Sequence, residues 1–171
     1  MRRLKPEEID VKVKQVNSKG ALLLLYKTAR VDMQMLDEEF GPLNWQSDYK
    51  LINNVLFCGI GIKNGADWVW KWDCGIESRA DEDGNEKKGE ASDAFKRAGF
   101  KVGIGRELYS APFIWAKVET VEDDKKKWQL KDRFLKFAVK EIEYSESGDI
   151  IKLSIVDNKG NKVYGGSKQS L

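Results

Sequence analysis

The 171-residue chain has no histidine. Without the one side chain that ordinarily titrates near neutral pH, the usual general base, the His-dependent catalytic triads and every His-containing metal site are excluded. Cysteine is almost as scarce. Cys58 and Cys74 are too few for a disulfide framework and do not have metal-site spacing, which fits a reducing, cytoplasmic compartment. Long apolar runs are missing too. The longest, "ALLLLY" at 21–26, falls far short of the roughly 20 residues a membrane span needs, and the Arg2-Arg3 start is not followed by a secretory apolar region. The expectation is a protein without a membrane partner. A charge imbalance is also lacking. Thirty Lys and Arg stand against 28 Asp and Glu, for a formal charge of +2, so any attraction to a polyanion depends on where the charges sit.

Apolar and aromatic residues are plentiful. With 41% hydrophobic residues, six Trp, seven Phe and five Tyr, the chain has the means to fold, and its length suits about one ordinary domain. Pro6 and the two acidic residues after it suit a short helical turn, and "IDVKVKQV" at 9–16 alternates as a half-buried strand does. Thr28 is placed to cap a helix from about Ala29 to Phe40, which Gly41 and Pro42 end. From Trp45 to Glu77 the pattern predicts a three-stranded antiparallel meander turning at "NN" and "NGAD". A polar, mobile connector is expected at 79–89 and a helix after it. The stretch "APFIW" closes a core spanning 1–116, residues 117–133 read as a charged linker, and 134–171 as a C-terminal β meander with turns at "SESG" and "NKG". The fold class expected is α+β.

The helix opening at "GEASDAFKRAGFKVGIGRELY" (89–109) carries most of the functional signal. At about 100° per residue, Ala91, Ala94, Phe95, Ala98 and Val102 form one narrow apolar stripe. Small residues there let the helix lie close to a sheet. Lys96, Arg97 and Lys101 flank the exposed side, and Gly99, Gly103 and Gly105 allow close approach or unusual dihedrals. "GIGRELY" lacks both the full dinucleotide fingerprint and the P-loop Lys-Ser/Thr, so no nucleotide cofactor is expected.

Taken in order, "ARVDMQMLDEEFGPLNW", three strands and "KGEASDAFKRAGFKVGIGRELY" resemble the Rad fifty-two family of single-strand annealing proteins, especially the phage recombinases related to Sak. The resemblance covers roughly residues 9–115. It rests on Phe40, Gly41 and Trp45, a meander, and Asp93, Lys96, Arg97 and Ala98 as Asp-x-x-Lys-Arg-Ala. It implies a bent antiparallel sheet crossed by the helix, and protomers forming a ring or helical filament. It further implies an outer groove for single-stranded DNA, used in recombination and repair without ATP or catalysis. A phage or prophage origin, the bacterial host cytosol and a single-strand-binding protein as partner belong to the same expectation. Lys96 and Arg97 match the family's DNA-contacting pair, and Lys88 lies where another basic contact is expected. Arg30 stands one residue before the position of a family arginine, here Val31. Where the family has a further basic residue this chain has Phe100, with Lys101 beside it as the substitute.

Two other readings of the residues remain open. Asp73 and Glu77, with Glu86 and Lys88 following, suit a metal-dependent DNA nuclease that binds Mg²⁺ through carboxylates. Trp68, Trp70 and Trp72 share one strand face. That face suits a core or a protomer interface, and beyond that a platform for stacked bases.

Overall fold

A computed structural model describes residues 1–76 and 86–167. A 3-10 turn, Pro6–Glu8, precedes β1 (Asp10–Asn17), β2 (Gly20–Tyr26), α1 (Ala29–Phe40), β3 (Trp45–Ile52), β4 (Val55–Asn64), β5 (Asp67–Cys74) and α2 (Glu86–Val102). A second 3-10 turn, Arg106–Ser110, leads to β6 (Ile114–Ala116), β7 (Thr120–Glu122), β8 (Trp128–Leu130), β9 (Phe137–Tyr144), β10 (Ile150–Asp157) and β11 (Lys162–Ser167). The structure is α+β with antiparallel sheets, and it divides into two compact units. One contains Met1–Arg2 and Lys27–Arg106, the other Arg3–Tyr26 and Glu107–Leu171.

In the first unit the hydroxyl of Thr28 accepts from the Val31 amide and starts α1. Gly41, at φ +83°, ends it. The meander runs β3-β4-β5 in register from Trp45↔Ile62 and from Asn64↔Asp67. Asn53 and Asn54 turn the first hairpin with φ of 51° and 61°, a left-handed pair that asparagine tolerates. α2 lies on one face of this sheet. Ala94, Phe95 and Ala98 are buried, as are Cys58 and Ile60 of β4, so the middle of the expected apolar stripe is buried, with Ala91 and Val102 half-buried at its ends. The helix ends in a Schellman motif. The Ile104 amide donates to the Gly99 carbonyl at 3.0 Å and the Gly103 amide to Phe100 at 3.1 Å, with Gly103 at φ +116°.

The second unit is a six-stranded sheet ordered β11-β10-β9-β1-β2-β6. Its edge strands β11 and β6 approach each other, so the sheet nearly closes on itself. Leu23, Ile114, Val139, Ile150, Leu153 and Ile155 are buried in it. Gly20, at φ +140°, lets β6 come close, since a Cβ there would strike the carbonyl of Ala116. Leu4 is buried as well. Its amide donates to the Glu107 carboxylate at 2.8 Å, and its carbonyl accepts from the Tyr144 hydroxyl at 2.8 Å.

These units differ from the expected division at 116 and 134. The hairpin β1-β2 pairs with β9 through Asp10↔Ala138 and Val11↔Phe137, so the N-terminal strand belongs with the C-terminal strands and not with the α2 meander. Residues 117–133 are no mere linker, because β7 and β8 pair there as a small hairpin, Thr120↔Leu130 to Glu122↔Trp128. Of the expected connector, 79–85 lies outside the described residues, whereas 86–89 already belongs to α2.

Candidate nucleic-acid interface

The interface is built on α2, and α2 is positioned by a buried charge. Lys27, just before α1, donates to both carboxylate oxygens of Asp32, at 2.6 and 2.5 Å, and to the carbonyl of Lys96 at 3.1 Å. Both side chains of this pair are almost fully buried. Gly99 makes the contact possible. A Cβ there would lie 2.5 Å from Asp32 Oδ2, so any side chain would push the two helices apart. Burial outweighs the attraction of Lys27 and raises the Asp32 carboxyl from 3.8 to about 6.

Trp45, near the end of α1, has a structural role in the same layer. Trp45 donates its indole N–H to Asp37 of α1 at 2.7 Å and packs its ring 6.2 Å from that of Phe95 on α2. A single tryptophan therefore ties the end of α1 to β3 and to α2. Gly75 does the same for the start of α2, since a Cβ there would strike the Glu90 carbonyl.

With the helix so fixed, its cations point outward in two groups. Arg97 and Lys101 lean toward β5 and share Asp73, at 3.5 and 3.7 Å. The Lys101 ammonium also donates to the Trp72 carbonyl at 2.6 Å. Neither contact to Asp73 is bidentate, so the half-exposed guanidinium has terminal donors unspent, while its Nε is buried without a partner. Lys96 lies on the other flank, 3.6 Å from Asp93. Arg30 is exposed in the first turn of α1. Lys88 is exposed about two turns nearer the start of α2, roughly 12 Å along the axis, and stands apart from the cluster.

Arg106 was not among the expected residues. It donates to the carbonyls of Phe100 and Lys101 at 2.9 and 2.8 Å, capping α2, and sits over the Phe100 ring at 5.8 Å. A cation thus stands above Phe100 at the end of the helix. The sequence signal was an arginine just past a helix-ending glycine.

The three tryptophans are not core. They occupy the sheet face opposite α2, where Trp72 covers Gly59 and Trp70 covers Gly61 so closely that a Cβ on either glycine would meet the indole. The Trp70 and Trp72 planes are 25° apart with centroids at 5.5 Å, Lys50 lies 4.3 Å from the Trp72 ring, and Trp68 is 37% exposed.

For nuclease chemistry, Asp73 is engaged by Arg97 and Lys101, while Glu77 lies outside the described residues. Among the described residues no three His, Cys, Asp or Glu are grouped to hold a metal ion. Burial pushes the Cys58 thiol up to about 11, which keeps it protonated at neutral pH. Among the described residues no helix is long and apolar enough to cross a membrane. No protein-family model, no curated protein and no solved structure matches the chain.

Proposed function

We propose that the protein binds single-stranded DNA along the outward side of α2 and anneals complementary strands, without ATP, as a ring or helical homo-oligomer. The observation that carries this reading is the loose sharing of one carboxylate, Asp73, by Arg97 and Lys101 on a rigid helix, with Lys96 beside them. Two cations against one anion leave positive charge, and a guanidinium with unused donors suits a phosphate. Annealing requires the backbone to be gripped and the base edges left free, which cations fixed on a helix accomplish without reading sequence. Arg106 extends the cationic surface at the end of α2, and Arg30 and Lys88 are further exposed cations of the same unit. Assembly supplies avidity. Among the described residues the outer edges of β3 and β5 are unpaired, and open edges invite head-to-tail growth.

The test is the triple variant K96E/R97E/K101E. It is expected to lose annealing and the strand binding that α2 supplies while keeping its circular dichroism spectrum and oligomeric mass, because the buried stripe Ala94, Phe95 and Ala98 is untouched. Annealing by this variant at the wild-type rate overturns the proposal.

A further inference from the structure

The second unit carries a groove that the α2 surface does not involve. It has a volume of about 620 Å³, in the range of ligand sites, and is lined by Ser18 and Lys19 of the β1-β2 turn, Trp115 of β6, and Lys117, Glu119 and Lys131. A neighbouring depression shares Lys117, Glu119 and Lys131 and continues to Lys159 and Lys162. Together they form one trench. Five lysines and three carboxylates line it or its continuation, and the carboxylates are all engaged. Glu119 takes Lys131 at 2.9 Å, and Asp132 takes Lys159 at 2.7 Å. Asp157 accepts from the amides of Lys159 and Asn161 and from the Asn161 side chain. Lys19, Lys117 and Lys162 have no carboxylate partner among the described residues, so the trench is left with uncompensated positive charge.

Beside these cations stands an exposed aromatic pair. The rings of Phe113 and Trp115 are parallel to within 6°, with centroids 6.2 Å apart, and Phe113 is 71% exposed. Trp115 is held by its indole N–H, which donates to the Lys19 carbonyl at 3.3 Å. Unpaired lysines next to a fixed, solvent-facing ring match a strand whose phosphates and bases are both accessible. A duplex offers no free base faces, and a simple anion has no use for the ring.

We infer that this trench is a second binding site for single-stranded nucleic acid, holding phosphates at Lys19, Lys117 and Lys162 and stacking a base on Phe113. The inference rests on the proposed annealing reading for the identity of the ligand, but its residues are separate from those of α2. In function it gives the second unit a hold on one strand while α2 holds another.

The experiment measures binding of a labelled oligothymidylate and of an abasic strand of equal length to the full chain and its variants at low salt. K19E/K117E is expected to weaken both strands about tenfold or more. F113A, a surface change, is expected to weaken oligothymidylate by about 5- to 100-fold, as loss of one stacked base does, and to leave the abasic strand unaffected. Melting midpoints of both variants should match wild type, and F113A stands as the test if the lysine pair alters folding. Wild-type binding by K19E/K117E and F113A, with binding lost in K96E/R97E/K101E, overturns the trench and leaves the α2 reading standing. The converse result removes α2 and keeps the trench. Equal weakening of both strands by F113A overturns the stacking, and failure of the wild type to bind either strand overturns both sites.

Discussion

The two units solve the problem of sheet edges in opposite ways. The six-stranded sheet brings its edge strands β11 and β6 toward each other and buries Leu23, Ile114, Leu153 and Ile155 inside. The three-stranded sheet keeps both edges unpaired among the described residues and covers only one face, with α2. Leu51 and Ile52 at its hairpin tip are exposed, as is Trp68. The cement differs too. The unit of the larger sheet buries the Glu107 carboxylate against the Leu4 amide, whereas the two helices of the smaller unit meet across the buried Lys27-Asp32 ion pair. A unit that leaves edges, aromatics and cations exposed is built to be completed by something else, and the proposed DNA and neighbouring protomers are what would complete it.

The largest expected effect comes from breaking the buried pair. Lys27→Ala strands the Asp32 carboxylate at the Gly99 crossing, at a cost of about 3–5 kcal/mol near neutral pH. Hydrogen exchange followed by mass spectrometry should show faster exchange in α2, with β9 and β10 unaffected. Loss of protection in both units alike would erase the contrast between them.

Next comes pH. The Asp32 carboxyl is raised from 3.8 to about 6 in the folded chain, so the native state holds that proton more tightly than the unfolded one. This contribution is fully present below about pH 4 and is lost as pH rises through about 6, amounting to up to about 3 kcal/mol. Denaturation of wild type beside Asp32→Asn should show the wild type losing stability relative to the variant between pH 4 and pH 7. A constant difference over that range would contradict the assignment.

The smallest effect probes the other unit. Gly20→Ala places a Cβ against the Ala116 carbonyl at a φ of +140°, costing on the order of 2 kcal/mol. Exchange should rise in β6 and leave α2 protected, the mirror image of the Lys27 result.

Where structure follows from neighbours in sequence, the chain could be read directly. Thr28 and Gly41 bracket α1, Asn53 and Asn54 mark a hairpin, and the small-residue stripe of α2 lies on the sheet as its periodicity indicates. The long-range facts were not legible. Nothing near Asp10 and Val11 announces that they pair with Ala138 and Phe137, because a strand's alternation shows which side is buried but not which partner it has. The hairpin of β7 and β8 has three residues in each strand, too few for alternation to stand out among charged neighbours. At the site, the basic side of α2 was visible as a pattern of spacing. The reason for Gly99 lies 67 positions earlier, at Asp32, and Arg106 joins the cluster only because the chain folds back over Phe100.

Asp73 has a consequence for how a strand would be taken up. In the unbound protein it already neutralises part of the charge on Arg97 and Lys101, acting as an anchored counterion in place of dissolved ones. On the proposed reading, an arriving phosphate would displace a tethered carboxylate, which then draws a cation from solution and offsets part of the counterions that the strand releases. Binding becomes an exchange of anions, with a salt dependence shallower than the slope of about 0.7 per phosphate that bare cations give on single strands. On the proposed reading, a strand could then be released and taken up again without the helix ever standing fully uncompensated.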